Sequence, residues 1–194
     1  MHLSLLLLSV ALAACSGTPP EAPAQAAADA PPTLFEFESD TEARWRVVND
    51  GVMGGRSKGF LEVTDGTLAF TGDLVTAGGG FTSARVEHGA DLSAFDGVEL
   101  RVRGGGRTFE FEVNDATRRG RREVSRRAPF DTADDWKTVR IPFADLDATV
   151  FGEPVEVAPL DRAAVESFGL FIADGIDGPF RIEVDWIRAY RDDA

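Results

Sequence analysis

The chain is nearly without the side chains on which most metal and nucleophilic chemistry rests. Its 194 residues contain one cysteine, Cys15, and two histidines, His2 and His88. A lone cysteine excludes an internal disulfide and a cysteine-based metal site, and so few histidines exclude a histidine-rich one. A Ser-His-Asp triad would have to be built on His88, and no nucleophile-elbow sequence accompanies it. His88 is accordingly expected at a solvent-facing strand end. Lysine occurs only as Lys58 and Lys137 while arginine is abundant, a bias we ascribe first to coding. The formal charge of −13 and a pI near 4.5 exclude an embrace of nucleic acid by the whole chain, because phosphates would be repelled at long range. The acid excess is read as a device for solubility. Carboxylates are plentiful enough for glycoside hydrolysis, but nothing in the sequence fixes a pair at a working separation. No catalytic residue, metal or cofactor is predicted.

Long apolar runs are also missing. The run Leu3 to Ala14 is too short to span a bilayer and ends in small residues, as an export signal does. Leu12-Ala13-Ala14-Cys15 has the form of a bacterial lipobox, although only Met1 and His2 precede the apolar run where basic residues are usual. The expectation is a signal peptide over residues 1–14, lipidation of Cys15, and a Pro/Ala-rich tether over residues 15–33 with almost nothing large to bury. Ser16 stands where an inner-membrane retention signal would place aspartate. The expected address is therefore the bacterial cell envelope, lipid-anchored at the periplasmic face of the outer membrane.

From Leu34 to about residue 191 the pattern changes to short alternating runs broken by Gly, Asp and Asn, the signature of an all-β sandwich. Asp65-Gly66 between Phe60–Val63 and Leu68–Phe70 marks a hairpin. Pro142 at the end of the Trp136–Phe143 run marks a sheet edge or strand end. A short helix is expected over Asp161–Ser167. Eight to ten strands in one domain without internal repeats suit two sheets in a jelly roll, with most of the fourteen phenylalanines in its core.

Three polar stretches stand out. Asn49-Asp50-Gly51-Val52-Met53-Gly54-Gly55-Arg56-Ser57 sets amide, carboxylate and guanidinium groups among three glycines, and Ser83 and Arg85 follow on a later strand. Two readings are open: a binding patch in which Asp50 accepts and Arg56 or Arg85 donates, or a self-satisfied loop with Asp50 paired to an arginine. The run Arg118–Arg127 concentrates positive charge around Gly120. Arg118, Arg119, Arg121 and Arg122 suit an anionic contact, while a solvated hairpin tip explains the run equally. Asp131–Asp135 and Asp174–Gly178 are acidic loops without calcium-loop spacing, and are read as turns.

The ordered series Trp45, Asn49–Ser57, Phe70-Thr71-Gly72, Gly79–Arg85, Asp91–Gly97, Arg101–Arg107, Trp136–Phe143 and Gly178–Ile187 resembles the domain of the complex I intermediate-associated protein 30 family, from about Leu34 to Tyr190. Gly104-Gly105-Gly106 departs from the Gly-Asp-Gly that the family favours. The resemblance implies a galactose-binding-like jelly-roll β-sandwich, a chaperone-like part in assembling respiratory complex I, protein partners, and no enzyme chemistry. A carbohydrate-binding module of the envelope, using loop polar groups with Trp45 or Trp136 as a platform, is the alternative expectation.

Overall fold

In the computed structural model, residues 32–38 and 44–192 are described. The expected signal peptide, Cys15 and most of the tether lie outside them. Fifteen strands follow one another: β1 (Thr33–Phe35), β2 (Arg46–Asn49), β3 (Lys58–Thr64), β4 (Thr67–Leu74), β5 (Thr82–Ala90), β6 (Gly97–Arg103), β7 (Thr108–Asp115), β8 (Arg118–Arg119), β9 (Arg122–Glu123), β10 (Ser125–Asp131), β11 (Lys137–Pro142), β12 (Asp147–Val150), β13 (Glu153–Pro154), β14 (Val165–Ile172) and β15 (Gly178–Tyr190). They form a six-stranded sheet in the order β11-β6-β15-β4-β3, with β1 also on β15, and a seven-stranded sheet in the order β13-β12-β10-β7-β14-β5-β2. The pairings within both sheets are antiparallel. Strands β8 and β9 make a separate hairpin.

Alternation along each strand builds the sandwich, since successive side chains point to opposite faces. In β7, Phe109, Phe111 and Val113 are buried, and Phe168, Leu170 and Ile172 of β14 join them; Phe70 of β4 and Ile182 and Val184 of β15 face them from the other sheet. Asp65 and Gly66 both hold positive φ (51° and 72°), so Thr64 pairs with Thr67 across a two-residue hairpin turn. Pro142 pairs with Gly97 at the end of the outermost strand β11, where a missing N–H costs no ladder bond.

Three expectations are corrected. The eight to ten strands are fifteen among the described residues, because short pairings such as β8 with β9 and β12 with β13 add to the long strands. The helix over Asp161–Ser167 is a single 3-10 turn, Arg162–Ala164, capped by the Asp161 side chain; Val165 already begins β14, because its β-branched and aromatic run packs better as a central strand. His88 is not solvent-facing. It lies half-buried on the inner side of β5, its ring 4.8 Å from Phe35 and 6.1 Å from Phe168, so it fills core space.

The arginine run is divided by the same alternation. Arg126 faces inward and meets Asp115 at 2.7 Å, both side chains 2% exposed. Its other nitrogen donates to the Ala158 carbonyl, and the second Asp115 oxygen accepts the Asp161 N–H. Burial pushes the Asp115 carboxyl up, but the N–H groups of Asp161 and Thr117, the Thr117 hydroxyl and the Arg126 charge together hold it below its ordinary range. Removing one partner strands the other charge. Arg126→Ala is expected to cost about 3–5 kcal/mol in chemical denaturation, and Arg121→Ala less than about 0.5 kcal/mol; equal effects would contradict the division.

Candidate functional site

The Asn49–Ser57 stretch carries the chain from β2, at the edge of the seven-stranded sheet, to β3, at the edge of the other. Asn49 is extended, residues Asp50–Met53 form one 3-10 turn, and Gly54 ends it with φ 84°. The turn directs the Asp50 side chain inward, where it is fully buried. One carboxylate oxygen accepts the Ser57 N–H (3.0 Å); the other accepts the Ser57 hydroxyl (2.7 Å), the Gly80 N–H (2.8 Å) and, at 3.4 Å, the Phe81 N–H. Burial opposes the charge, but these four donors prevail and hold the carboxyl below its ordinary pKa. Two glycines make room for it. A Cβ on Gly55 would lie 2.1 Å from the Asp50 Cγ, and one on Gly79 would lie 2.5 Å from a carboxylate oxygen.

Neighbouring groups are equally engaged. The Asn49 Oδ1 accepts the Gly59 N–H of β3 (3.0 Å) and the Thr82 hydroxyl of β5 (2.7 Å), which sews the two sheets together. The Ser57 oxygen accepts the Val75 N–H at 3.1 Å. Asp50 is therefore paired with a hydroxyl and backbone amides, not with an arginine as the loop reading supposed. Arg56 is exposed, and its charge reaches Asp177, whose carboxyl is held low chiefly by the Thr76 N–H.

Ser83 and Arg85 lie one strand in, on the outer face of the seven-stranded sheet. Ser83 is buried, its hydroxyl 3.4 Å from the Val48 carbonyl and accepting the Arg85 Nε–H at 3.1 Å. The Asp50 contact continues through Phe81, whose ring stacks 5.8 Å from Phe171 on β14. Phe171 in turn carries two guanidinium groups, Arg85 at 4.7 Å and Arg127 of β10 at 4.4 Å. The backbone register places Arg85, Gly169, Glu112 and Arg127 in one row across four strands. Glu112 lies against Gly169, where a Cβ would come within 3.3 Å, and is 1% exposed although it faces outward. Its oxygens lie 3.9 Å from Arg85 Nε and 4.0 Å from Arg127 Nε, and Ser125 donates its hydroxyl to it. The Arg127 Nε is buried without a hydrogen-bond partner, while Arg127 also pairs with Glu110 at 2.7 Å.

Sequence reasoning singled out Ser83 and Arg85 and placed Arg127 in a charge run, but did not mark Glu112 and Phe171, which the structure sets beside them. The outward alternation of β7 signals the acids; that β14 lies between β5 and β7 is not visible in the chain. A concavity of about 480 Å³ opens elsewhere, beside Gly104 and Gly105, and is lined by Arg103, Arg181 and Glu183. Its arginines are engaged internally: Arg103 and Arg181 both pair with Glu183, and Arg107 clamps Asp174 at 2.6 Å. Asp174 is thereby part of a tie between the β6–β7 and β14–β15 loops. Among the described residues no three His, Cys, Asp or Glu side chains converge as metal ligands.

Two packed antiparallel sheets define the class: a jelly-roll β-sandwich. A family 11 carbohydrate-binding module of a cellulosomal cellulase of Clostridium thermocellum superposes with TM-score 0.64 at 15% identity, covering 84% of this chain and 95% of that one. The same kind of module in complex with a β-1,3-1,4-mixed-linked tetrasaccharide gives 0.62 at 16% identity, covering 82% and 94%. An agarase gives 0.59 at 11%, covering 84% of this chain and 24% of the enzyme. Residues 35–184 match the Complex I intermediate-associated protein 30 family, and the chain belongs to that family. It is 29% identical over 190 residues to the mitochondrial Complex I intermediate-associated protein 30 of Mus musculus, covering 83% of this chain and spanning 56% of that protein's length.

The junction has a direct test. Asp50→Asn replaces an acceptor of four donors with a group that is half donor, and is expected to cost about 2–4 kcal/mol. Because the folded pKa of Asp50 is depressed, its contribution is full above the unfolded value near 3.9 and is lost as pH falls through the folded value. The gap between wild type and Asp50→Asn in thermal unfolding is therefore expected to narrow as pH drops below about 4. A gap that widens in acid would refute the assignment.

Proposed function

We propose that the chain is a non-enzymatic binding module, tethered to a membrane through Cys15, that serves protein partners as an assembly factor of the kind its family is named for. The observation that carries this reading is the division of labour around Asp50. The glycine-rich loop has its acceptors filled from within, which makes it a support, whereas the platform it braces presents Arg85, 31% exposed, over Phe171. Arg85 gives its Nε to Ser83, and its terminal nitrogens, which donate to no group among the described residues, form a planar fork that suits carboxylates and backbone carbonyls of a partner. Membership of an assembly-factor family supports the choice of protein over other ligands. The periplasmic face of the bacterial outer membrane is the proposed address, on the form of Leu12–Cys15 and on Ser16.

Carbohydrate binding is the second reading, supported by the fold shared with glycan-binding modules. The expected tryptophan platforms argue against it. Trp45 packs on Phe35 and Phe37, and Trp136 is half-buried under Arg103 at 4.8 Å. Among the described residues the exposed aromatic rings are those of two phenylalanines, Phe60 and Phe151.

A photoreactive residue at Arg46, in register with Arg85, is expected to yield protein adducts in the native envelope by mass spectrometry. Arg85→Lys, which keeps a charge beside Glu112 and removes the planar fork, is expected to lower their yield about tenfold while changing stability by less than about 1 kcal/mol. No protein adduct, together with a hit on a glycan array, would reverse the order of the two readings. The tether is tested separately: Cys15→Ala is expected to abolish lipid labelling and membrane retention, and unchanged fractionation would remove it.

A further inference from the structure

The four arginines at the hairpin tip have no part in the platform, and the structure sets them beside its most exposed aromatic side chain. Strands β12 and β13 are joined by Phe151-Gly152, with Val150 paired to Glu153 across the turn. Both turn residues hold positive φ, 52° and 83°. Asn or Asp before Gly suits such a turn, and a bulky aromatic ring does not. Phe151 is nevertheless there, and it is 75% exposed. A residue that is unfavourable both for the turn and for water is best explained by something it meets.

The second tip lies against the first. Gly120, with φ 66°, and Arg121 join β8 to β9, and a groove of about 410 Å³ is lined by Arg119 and Arg122 on one side and by Val150, Phe151, Glu153 and Val155 on the other. The Arg122 guanidinium lies 4.9 Å from the Phe151 ring centre, and Arg119 donates to the Glu156 carbonyl at 3.2 Å. Glu123 is engaged with Arg118 at 2.9 Å, and Asp147 stands in register with Arg127. Glu153 and Glu156 are exposed nearby. Among the described residues neither Arg121 nor Arg122 is in an ion pair.

We infer that the paired tips around Phe151 and Arg121 form a docking edge for an anionic phospholipid surface, with the Phe151 ring entering the interface and Arg119, Arg121 and Arg122 taking phosphate oxygens. Local charge complementarity selects this occupant: Arg119, Arg121 and Arg122 form no ion pair among the described residues, and the net charge of −13 elsewhere repels an anionic surface and so confines the attraction to this edge. An aromatic ring ringed by arginine is an interfacial anchor, its face apolar and its neighbours matched to headgroups. The choice of a lipid surface over a protein one rests on the tethered reading proposed above.

The test uses the chain from residue 15 onward with Cys15→Ser, so that no lipid contributes. It is expected to co-sediment with vesicles containing phosphatidylglycerol, weakly with phosphatidylcholine alone, and less as salt rises. Arg121→Ala with Arg122→Ala is expected to weaken this about tenfold or more. Phe151→Asn is the decisive variant, because it gives the turn its preferred residue: unfolding should move to higher temperature while vesicle binding falls about tenfold. Equal sedimentation of wild type and Phe151→Asn, or none by wild type, overturns the docking edge. Capture of a protein through Phe151 without vesicle binding overturns the lipid assignment. Labelling of Cys15 is read separately, so loss of the tether and loss of the edge are distinguishable.

Discussion

A carboxylate with no access to water holds together the end of the sandwich that matters most. Asp50 accepts from Ser57, Gly80 and Phe81, and so ties the loop that leads into β3 to the loop that leads into β5. Hydrogen bonds to a charged acceptor contribute about 1.5–3 kcal/mol each, enough together to offset the cost of burying the charge. The arrangement leaves no space for side chains at Gly55 and Gly79. The glycines of the opening loop are thus explained by the volume of one carboxylate group as much as by turn geometry. Asn49 repeats the principle a residue earlier, joining β3 to β5 through one amide oxygen.

The outer platform depends on that junction mechanically. Phe81 is held by the same carboxylate, and its ring sets the position of Phe171. Phe171 spaces Arg85 and Arg127, and Gly169 lets Glu112 lie between them with its charge balanced from both sides. A surface assembled from four strands in this way is preformed, so the proposed partner would meet a fixed array and little ordering entropy would be lost on binding. The cleft beside Gly104 lacks this character because its arginines already hold Glu183 and Asp174.

Much of this was legible in the chain. Period-two alternation places the core of β7, β14 and β15, Asp65-Gly66 dictates its turn, and the two stretches Asn49–Ser57 and Gly78–Arg85 stand out as polar punctuation that the structure brings together. What was illegible is lateral. Strand order across a sheet is set by packing between segments far apart in sequence, and β14 between β5 and β7 is such a case. Without it, Glu112 reads as one more solvated acid and Phe171 as one more core ring. His88 was misread for the same reason: its polarity suggested solvent, whereas the inward phase of β5 and the rings of Phe35 and Phe168 decide its place. Arg126 likewise hides in a charge run, and only its odd position in the alternation marks it as internal.

The scarcity of lysine acquires a structural meaning from these contacts, whatever its origin in coding. Arg85 and Arg127 lie over Phe171, Arg101 and Arg103 over Trp136, Arg140 over Tyr190, Arg188 over Trp186 and Arg191 over Phe95. Several of the same side chains also donate to carboxylates in the plane of the guanidinium, as Arg103 does to Glu183 and Arg127 to Glu110. A planar cation can stack on a ring with its face and bond with its edge at once; an ammonium group cannot do both. In a chain this acidic and this rich in phenylalanine, arginine joins the two populations that would otherwise repel or ignore each other. The surfaces so built are apolar, charged and fixed in shape together, which is the combination that a partner-binding face requires.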